Sequence, residues 1–450
     1  MKLPVPPPPL HEALAKLFAT PNGSARFQTL AKAGLGPAPG GKYRHWDTLR
    51  HQPPFHEFSA EEQWIAVKLA RNALCQTLPL RDAAGLPFQY ALPNVALEML
   101  HQVDRNAAGN IQASDQVTNP ATRDTYLFRS IVEEAITSSQ LEGASTTRKV
   151  AKAMIQEGRS PRTRSEQMIL NNYEGMRLVL RAIDRPLTPV FVCELQRVLT
   201  AGTLDEPDAA GRYRQVGEEI VIEDETGTRL YTPPPADQLE QRMEAMCLFA
   251  NGGGTGEFIP PAVRAILLHL WLACDHPFVD GNGRTARALF YWCMARQGYW
   301  LCEYVSISRI LKNARGQYAR AYLYTETDEN DATYFILYQL RVLLRAISDL
   351  HHYLARKAAE FRDAEELVRH ASAVHGELNP RQLALINNAL KRPEARYTVD
   401  SHRRSHDVSY ETARTDLMRL VDESLLEQRK SARAFVFTPV KDLRKRLTES

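Results

Sequence analysis

His276, Asp280, Gly281, Asn282, Gly283, Arg284 and Arg287 all stand within one twelve-residue stretch, His276-Pro277-Phe278-Val279-Asp280-Gly281-Asn282-Gly283-Arg284-Thr285-Ala286-Arg287. The stretch combines a proton acceptor, a carboxylate, a glycine-rich turn and two guanidinium groups. His276, with an ordinary pKa near ~6.5, accepts a proton at neutral pH. Asp280 is a hard oxygen ligand of the kind Mg²⁺ takes while it keeps most of its waters and bridges phosphates. Arg284 and Arg287, three residues apart, project from one helical face and each offers phosphate oxygens a planar fork of donors. Glycines leave backbone N–H groups unobstructed, and a helix beginning at this turn aims the positive end of its dipole at it. A lone Gly-Asn-Gly is usually only a turn, and a lone histidine after an apolar helix is usually a packed core residue. Brought together in one segment, these groups are the parts for phosphoryl or nucleotidyl transfer.

Two helices must position them. Apolar residues run through 262–274 and again through 286–297, which predicts a tight loop held between helices. The pattern His-x-Phe-x-Asp-Gly-Asn-Gly-Arg-x-x-Arg, with every fixed position present from His276 to Arg287, resembles the signature of the Fic family. That resemblance implies a mainly α fold, a Fic-type helical bundle with a β-hairpin flap. It implies that His276 deprotonates a target hydroxyl, that Asp280 holds the metal, and that amides around Gly281, Asn282 and Gly283 form an anion hole. By the same resemblance Arg284 and Arg287 hold the outer phosphates of ATP, and Phe278 anchors the loop in the core. The implied reaction moves AMP from ATP to a hydroxyl side chain of a target protein and releases pyrophosphate, with Mg²⁺ or Mn²⁺ as cofactor. An unaltered signature favours ATP over the other donors some relatives use.

A second segment bears on regulation. Residues 126–141 have helical periodicity and lead to Ser138-Ser139-Gln140-Leu141-Glu142-Gly143, with Gly143 suited to a C-cap. This resembles the inhibitory motif Ser/Thr-x-x-x-Glu-Gly/Asn of many Fic proteins, in its N-terminal class. The resemblance implies that Glu142, with Ser138 at the head of the motif, pairs with Arg287 and keeps it from the γ-phosphate. In some relatives the same glutamate positions a hydrolytic water, which extends the expectation to AMP removal. A carboxylate at a helix C-terminus is disfavoured by the dipole, so its presence there asks for a purpose.

Gly211-Arg212-Tyr213-Arg214 leads into the β-prone run Glu218, Glu219, Ile220, Val221 and Ile222. Asp224 to Thr228 then reads as a turn and Leu230-Tyr231-Thr232 as a return strand. In position this resembles the Fic flap, whose edge registers a target segment by main-chain pairing. An ordinary surface hairpin is the alternative reading.

The chain has 450 residues, enough for two or three domains, and a net charge of +3 that gives no overall preference for nucleic acid or membrane. Its six cysteines are dispersed without Cys-x-x-Cys pairs, the usage of a reducing compartment. Prolines 6–9 interrupt any signal-peptide helix, and no run approaches the ~20 apolar residues of a membrane span, so a cytoplasmic location is expected.

Four regions are expected. Residues 1–125 comprise a Pro-rich segment, loosely structured or extended to about Gly41, and a helical subdomain. Trp46, Phe55, Phe58 and Trp64 form its core beside a helix over 59–78. Residues 126–345 hold the Fic domain, with further helices at 163–185, 188–201, 237–251, 306–324 and 332–369. Tyr318 and Tyr322 either line the adenine pocket or pack in the bundle. A connecting helix covers 346–375. In 376–450, helices at 379–390, 400–406 and 409–423 precede strands at 425–428 and 434–437, which resembles a winged helix-turn-helix. That makes DNA a candidate partner, although Tyr410, Thr412, Arg414 and Arg419 are offset by Glu411, Asp416, Asp422 and Glu423. It also gives an alternative function, a nucleotide-sensing transcriptional or toxin-control regulator. His402 and His406 lack a third metal ligand and read as solvated polar residues. A homodimer and self-modification complete the expectations.

Overall fold

The structure, a computed structural model, describes residues 2–53, 57–108, 120–218, 220–223, 226–374, 378–406, 408–431 and 434–447, and it is mainly α-helical. The chain divides into two compact units, Met1–Leu350 and His351–Ser450.

The N-terminus departs from expectation. Helices Leu10–Phe18 (α1) and Gly23–Lys32 (α2) form where an extended segment was predicted. Ala13, Leu17 and Leu30 bury against Phe58 and Ile65, so an apolar i, i+3, i+4 pattern overrides the Pro- and Gly-rich composition. The short helix Trp46–Leu49 (α3) follows. Ser59 then opens Ala60–Asn72 (α4) with a capping box, its hydroxyl accepting from Glu62 N while the Glu62 carboxylate accepts from Ser59 N. The helix expected to reach 78 stops at Asn72. Pro79 cannot continue it, and alternating Leu78 and Leu80 point inward from strand Gln76–Arg81 (β1), paired antiparallel with Pro87–Tyr90 (β2). The expected aromatic core also divides: Trp46 and Trp64 pack with ring centroids 5.9 Å apart, Phe58 joins the α1–α2 cluster, and Phe55 lies outside the described residues.

Asn94–Ala107 (α5) precedes Pro120–Leu141 (α6), Arg148–Glu157 (α7), Arg164–Arg181 (α8) and Pro189–Thr200 (α9). A hairpin of Ile222–Glu223 (β3) and Arg229–Tyr231 (β4) is followed by Leu239–Ala250 (α10). Pro261–Asp275 (α11) and Asn282–Arg296 (α12) lie at the centre, buried along almost their whole length. The predicted helix over 306–324 is broken at Ala314 into Ile307–Asn313 (α13) and Arg315–Thr327 (α14), and Thr333–Val374 (α15) follows. Helix α6 packs Val132, Ala135 and Ile136 against Ala151, Met154 and Ile169. It also buries Glu134, whose carboxylate accepts from Tyr291 Oη at 2.9 Å, Ser306 Oγ at 2.7 Å and Ser308 N at 3.1 Å.

A buried ionic cluster fastens α4 to the turn before α15. Lys68 Nζ lies 2.6 Å from Asp328 Oδ1, Arg71 donates to Tyr334 Oη at 2.7 Å, and Tyr43 Oη donates to Asp331 at 2.5 Å. The Asp328 side chain is fully buried between the two cations. Removing one member of such a cluster leaves uncompensated charge, so Asp328→Ala is expected to cost about 3–5 kcal/mol, read as a lowered urea midpoint.

In the second unit Pro380–Lys391 (α16), Val399–His406 (α17) and Tyr410–Asp422 (α18) precede Leu426–Ser431 (β5) and Ala434–Pro439 (β6), then Leu443–Arg446 (α19). Ser409 caps α18 as expected, and Tyr397 adds a bridge to Phe437 of β6. Two side chains read as outward-facing point inward. His402 is buried beside Asp416, Nε2 to Oδ2 3.2 Å, and Asp416 also accepts from Asn379 at 2.6 Å and Arg381 at 2.7 Å. Paired burial of the two against α16 removes Asp416 from the charge that α18 presents to solvent. All six cysteines are free, and no helix among the described residues is long and apolar enough to cross a membrane.

Candidate active site

Helix α11 ends at Asp275, and His276 turns the chain with left-handed φ 44° and ψ 56°. A non-glycine residue held there stores about 1–3 kcal/mol, which the surroundings must offset. The imidazole is half-buried, with Nδ1 3.4 Å from Ala273 O. A carbonyl only accepts, so this contact places the proton on Nδ1 and leaves the Nε2 lone pair open. Burial lowers the His276 pKa, against the opposing pull of Ala273 O, Glu142 and Asp280, while Arg214 adds to the lowering. The ring is therefore neutral, and basic, at pH 7.

The loop after it is fixed by its own side chains. Phe278 is fully buried, and Asn282 staples that residue at both ends: Oδ1 accepts from Phe278 N at 2.9 Å and Nδ2 donates to Phe278 O at 2.7 Å. Gly281, at φ +88°, passes so close to α9 that an added Cβ would lie 2.7 Å from Thr200 Cγ2. Thr285 N donates to Gly281 O at 2.9 Å, which leaves the amides of Asn282, Gly283 and Arg284 as the N-terminal donors of α12. Asp280 Oδ2 lies 3.0 Å from Arg284 Nη2, and Arg284 Nη1 donates to Leu199 O at 2.8 Å. Arg284 Nε is buried with no hydrogen-bond partner among the described residues.

Glu142 and Ser138 reach the same helix from α6. Arg287 Nη2 is 2.7 Å from Glu142 Oε1, its Nε donates to Ser138 Oγ at 2.9 Å, and Nη2 also approaches Ser138 O at 3.2 Å. Burial works against the Arg287 charge, yet Glu142, with Tyr318 and Glu134, more than offsets it and holds the Arg287 pKa above its ordinary value. Gly283 supplies the room: a Cβ there would fall 2.3 Å from Glu142 Oε1. Gly143, at φ +94°, caps α6 as predicted, and Lys312 Nζ holds Gln140 Oε1 at 2.5 Å. The structure thus brings His276, Asp280, Gly281, Asn282, Gly283, Arg284, Arg287, Glu142 and Ser138 around one loop and helix N-terminus.

The flap is narrower than expected. Ile222 pairs with Tyr231, whereas Ile220 and Val221 precede the paired strand and Glu219 lies outside the described residues. Glu218 is spent on its own loop. Both its oxygens take the Arg212 guanidinium, at 2.7 and 2.8 Å, and this holds its carboxyl down at about 2. Tyr318 donates or accepts at His269 Nε2, 2.8 Å away, and Tyr322 packs its ring 4.6 Å from that of Phe335.

Several residues of the site went unread in the sequence. Gln196 of α9 donates to Asp280 O at 3.0 Å and accepts from Gly211 N at 2.6 Å. Asp275, wholly buried, holds Arg242 at 2.6 Å and accepts from Trp271 Nε1 at 2.9 Å; burial raises its pKa to about 6. Arg214 grips the backbone of the His276 turn. The one available signal was the Gly211-Arg212-Tyr213-Arg214 tetrad, whose arginines look alike until one is seen to be buried.

Residues 186–294 match the model of the Fic/DOC family. The curated relatives the chain matches include protein adenylyltransferase Fic of Nematostella vectensis, 27% identical over 258 residues, covering 54% of this chain and 56% of that one. Protein adenylyltransferase fic-1 of Caenorhabditis elegans is 28% identical over 233 residues, covering 50% and 42%. The chain spans about half the length of these relatives. Among solved structures, Fic-1 from C. elegans matches with TM-score 0.49 at 18% identity, covering 77% of this chain and 99% of that one. A Fic family protein from Desulfovibrio desulfuricans G20 matches with TM-score 0.47 at 19% identity, covering 77% and 95%.

Proposed function

We propose that this chain is an autoinhibited protein adenylyltransferase, transferring AMP from ATP to a hydroxyl side chain of a target protein. The observation that carries the reading is the Arg287–Glu142 pair beside the N-terminus of α12. His276 Nε2 takes the proton of the target hydroxyl, whose oxygen attacks the α-phosphorus as the bond to pyrophosphate breaks. The α12 amides and Arg284 receive the phosphate oxygens, and Arg287 joins them once Glu142 withdraws. The free edge of the β3–β4 hairpin registers the target segment.

The donor set fits Mg²⁺ or Mn²⁺. No cluster of three His, Cys, Asp or Glu side chains occurs among the described residues, but an ion shared with phosphates needs only one or two carboxylates, and Asp280 supplies one. When bound, such an ion neutralises phosphate charge. Asp280→Asn is expected to slow transfer roughly 10²–10³-fold in initial-rate assays at fixed Mg²⁺. Six unpaired cysteines support a cytoplasmic location. Basic side chains on β5 and α19, Arg429, Lys430 and Arg444 to Arg446, support DNA as a partner of a winged helix in the second unit.

The test uses the Glu142→Gly protein with Mg²⁺ and ATP labelled at the α- or the γ-phosphate. Protein-bound label from the α position alone, absent with His276→Ala, is the expected result. Label from the γ position would make it a phosphotransferase, and label from neither would end the proposal.

A further inference from the structure

We infer that Arg214 is a positioning residue for the general base, capping the carbonyl end of α11 so that the left-handed turn at His276 is held and tied to the flap. The Arg214 side chain is buried, and the Asp275 carboxylate, which acts on it through space, is itself taken by Arg242 at 2.6 Å. A buried cation with no carboxylate bonded to it is costly unless its donors are taken up. Here they are taken by carbonyls alone: Nε donates to His276 O at 2.9 Å, and Nη2 donates to Asp275 O at 3.4 Å and to Pro234 O.

Asp275 and His276 carry the last carbonyls of α11, the negative end of its dipole, which is where a cation is stabilised. The Arg214 backbone completes the grip, its N donating to Pro277 O at 2.8 Å. One side chain therefore touches both sides of the strained residue and also Pro234, three positions after β4. Gln196 holds the far end of the loop at Asp280 O. With the Arg214 side chain removed, no other donor among the described residues reaches His276 O, and the turn is free to relax toward ordinary helical or extended backbone. The imidazole would then leave its line to the target hydroxyl while the α12 amides stay where they are.

The kinetic part rests on the proposed transfer reaction; the spectroscopic part does not. Arg214→Met and Arg214→Lys are made in the full chain, alone and with Glu142→Gly. Arg214→Met is expected to lower kcat roughly 100-fold, the size of effect a misplacement of about 1 Å produces, with KM for ATP and the Kd of a non-hydrolysable ATP analogue held. Arg214→Lys should recover part of kcat, because an ammonium donates to carbonyls but cannot span all of them. In ¹H–¹³C spectra the His276 ring signals, assigned by their loss in His276→Ala, should shift in Arg214→Met. A folded Arg214→Met protein with parental His276 signals and kcat overturns the inference. If Arg214→Met melts out, Arg214→Lys decides: unchanged signals and kcat there overturn it too. Should the Glu142→Gly parent transfer no AMP, the proposed reaction fails and the ring signals still judge Arg214.

Discussion

Replacing Glu142 with glycine is expected to raise AMP transfer roughly 30- to 1000-fold, the rate equivalent of the ~2–4 kcal/mol by which a partly buried carboxylate–guanidinium pair is coupled. Arg287 is 2% exposed and has nowhere else to go, whereas the Glu142 side chain is 29% exposed and sits at a capped helix end. The carboxylate is therefore the movable partner, and its departure frees a guanidinium already aimed at the α12 N-terminus. Ser138 contributes less. Its hydroxyl takes Arg287 Nε, but its main-chain carbonyl remains when the side chain is cut, so Ser138→Ala should activate by roughly tenfold, the low end of what one charged hydrogen bond is worth. Initial rates with α-labelled ATP check both numbers, and a Glu142→Gly rate equal to that of the parent would remove Glu142 from regulation. Because Gly283 leaves the space Glu142 occupies, the inhibited state depends on two residues far apart in the chain and not on the ion pair alone.

How much of this was legible follows from where the information lies. The 276–287 segment is contiguous, so its residue types and spacing already state a phosphate site, and the helices on either side announce themselves by apolar runs. Glu142 was legible through the resemblance of Ser138 to Gly143 to the inhibitory motif of Fic proteins, while the glycine marked only where its helix ends. Arg214 and Gln196 were not, since each acts on backbone carbonyls or amides contributed by another element, and no pattern in the chain marks which carbonyls will be left open; Asp275 was not, because its partner Arg242 lies on a different helix 33 residues away. The same limit explains the fold. Pro79 was enough to rule out a helix reaching Leu78, but reading α4 as one apolar run hid the change from a 3.6-residue to a 2-residue period after Asn72. Composition misled at α1 and α2, where alanines that look unstructured beside prolines are good helix formers once Leu17 and Leu30 have a surface to bury against. Glu218 shows the reverse error, a polar residue counted into a strand that starts only at Ile222, its carboxylate held instead by Arg212 six residues earlier.

His276→Ala is expected to reduce transfer roughly 10²–10⁴-fold, the range attributable to a positioned general base, while binding of an ATP analogue persists because none of the phosphate donors is touched. The pH dependence gives this role a signature. Burial lowers the His276 pKa, so the neutral, proton-accepting form extends below the ordinary range near ~6.5, and kcat/KM should hold at pH 7 and fall only as acid protonates the ring. The groups facing the ring act in opposite directions: Glu142 and Asp280 raise its pKa and Arg214 lowers it. In the Glu142→Gly protein one of the raising carboxylates is gone, so the acid limb should lie lower than in the parent. Removing Arg214 as well should move it back up. An acid limb that stays fixed through Glu142→Gly and Glu142→Gly/Arg214→Met, or one that survives in His276→Ala, would assign the titrating base to another residue, and the His276-centred mechanism would fall with it.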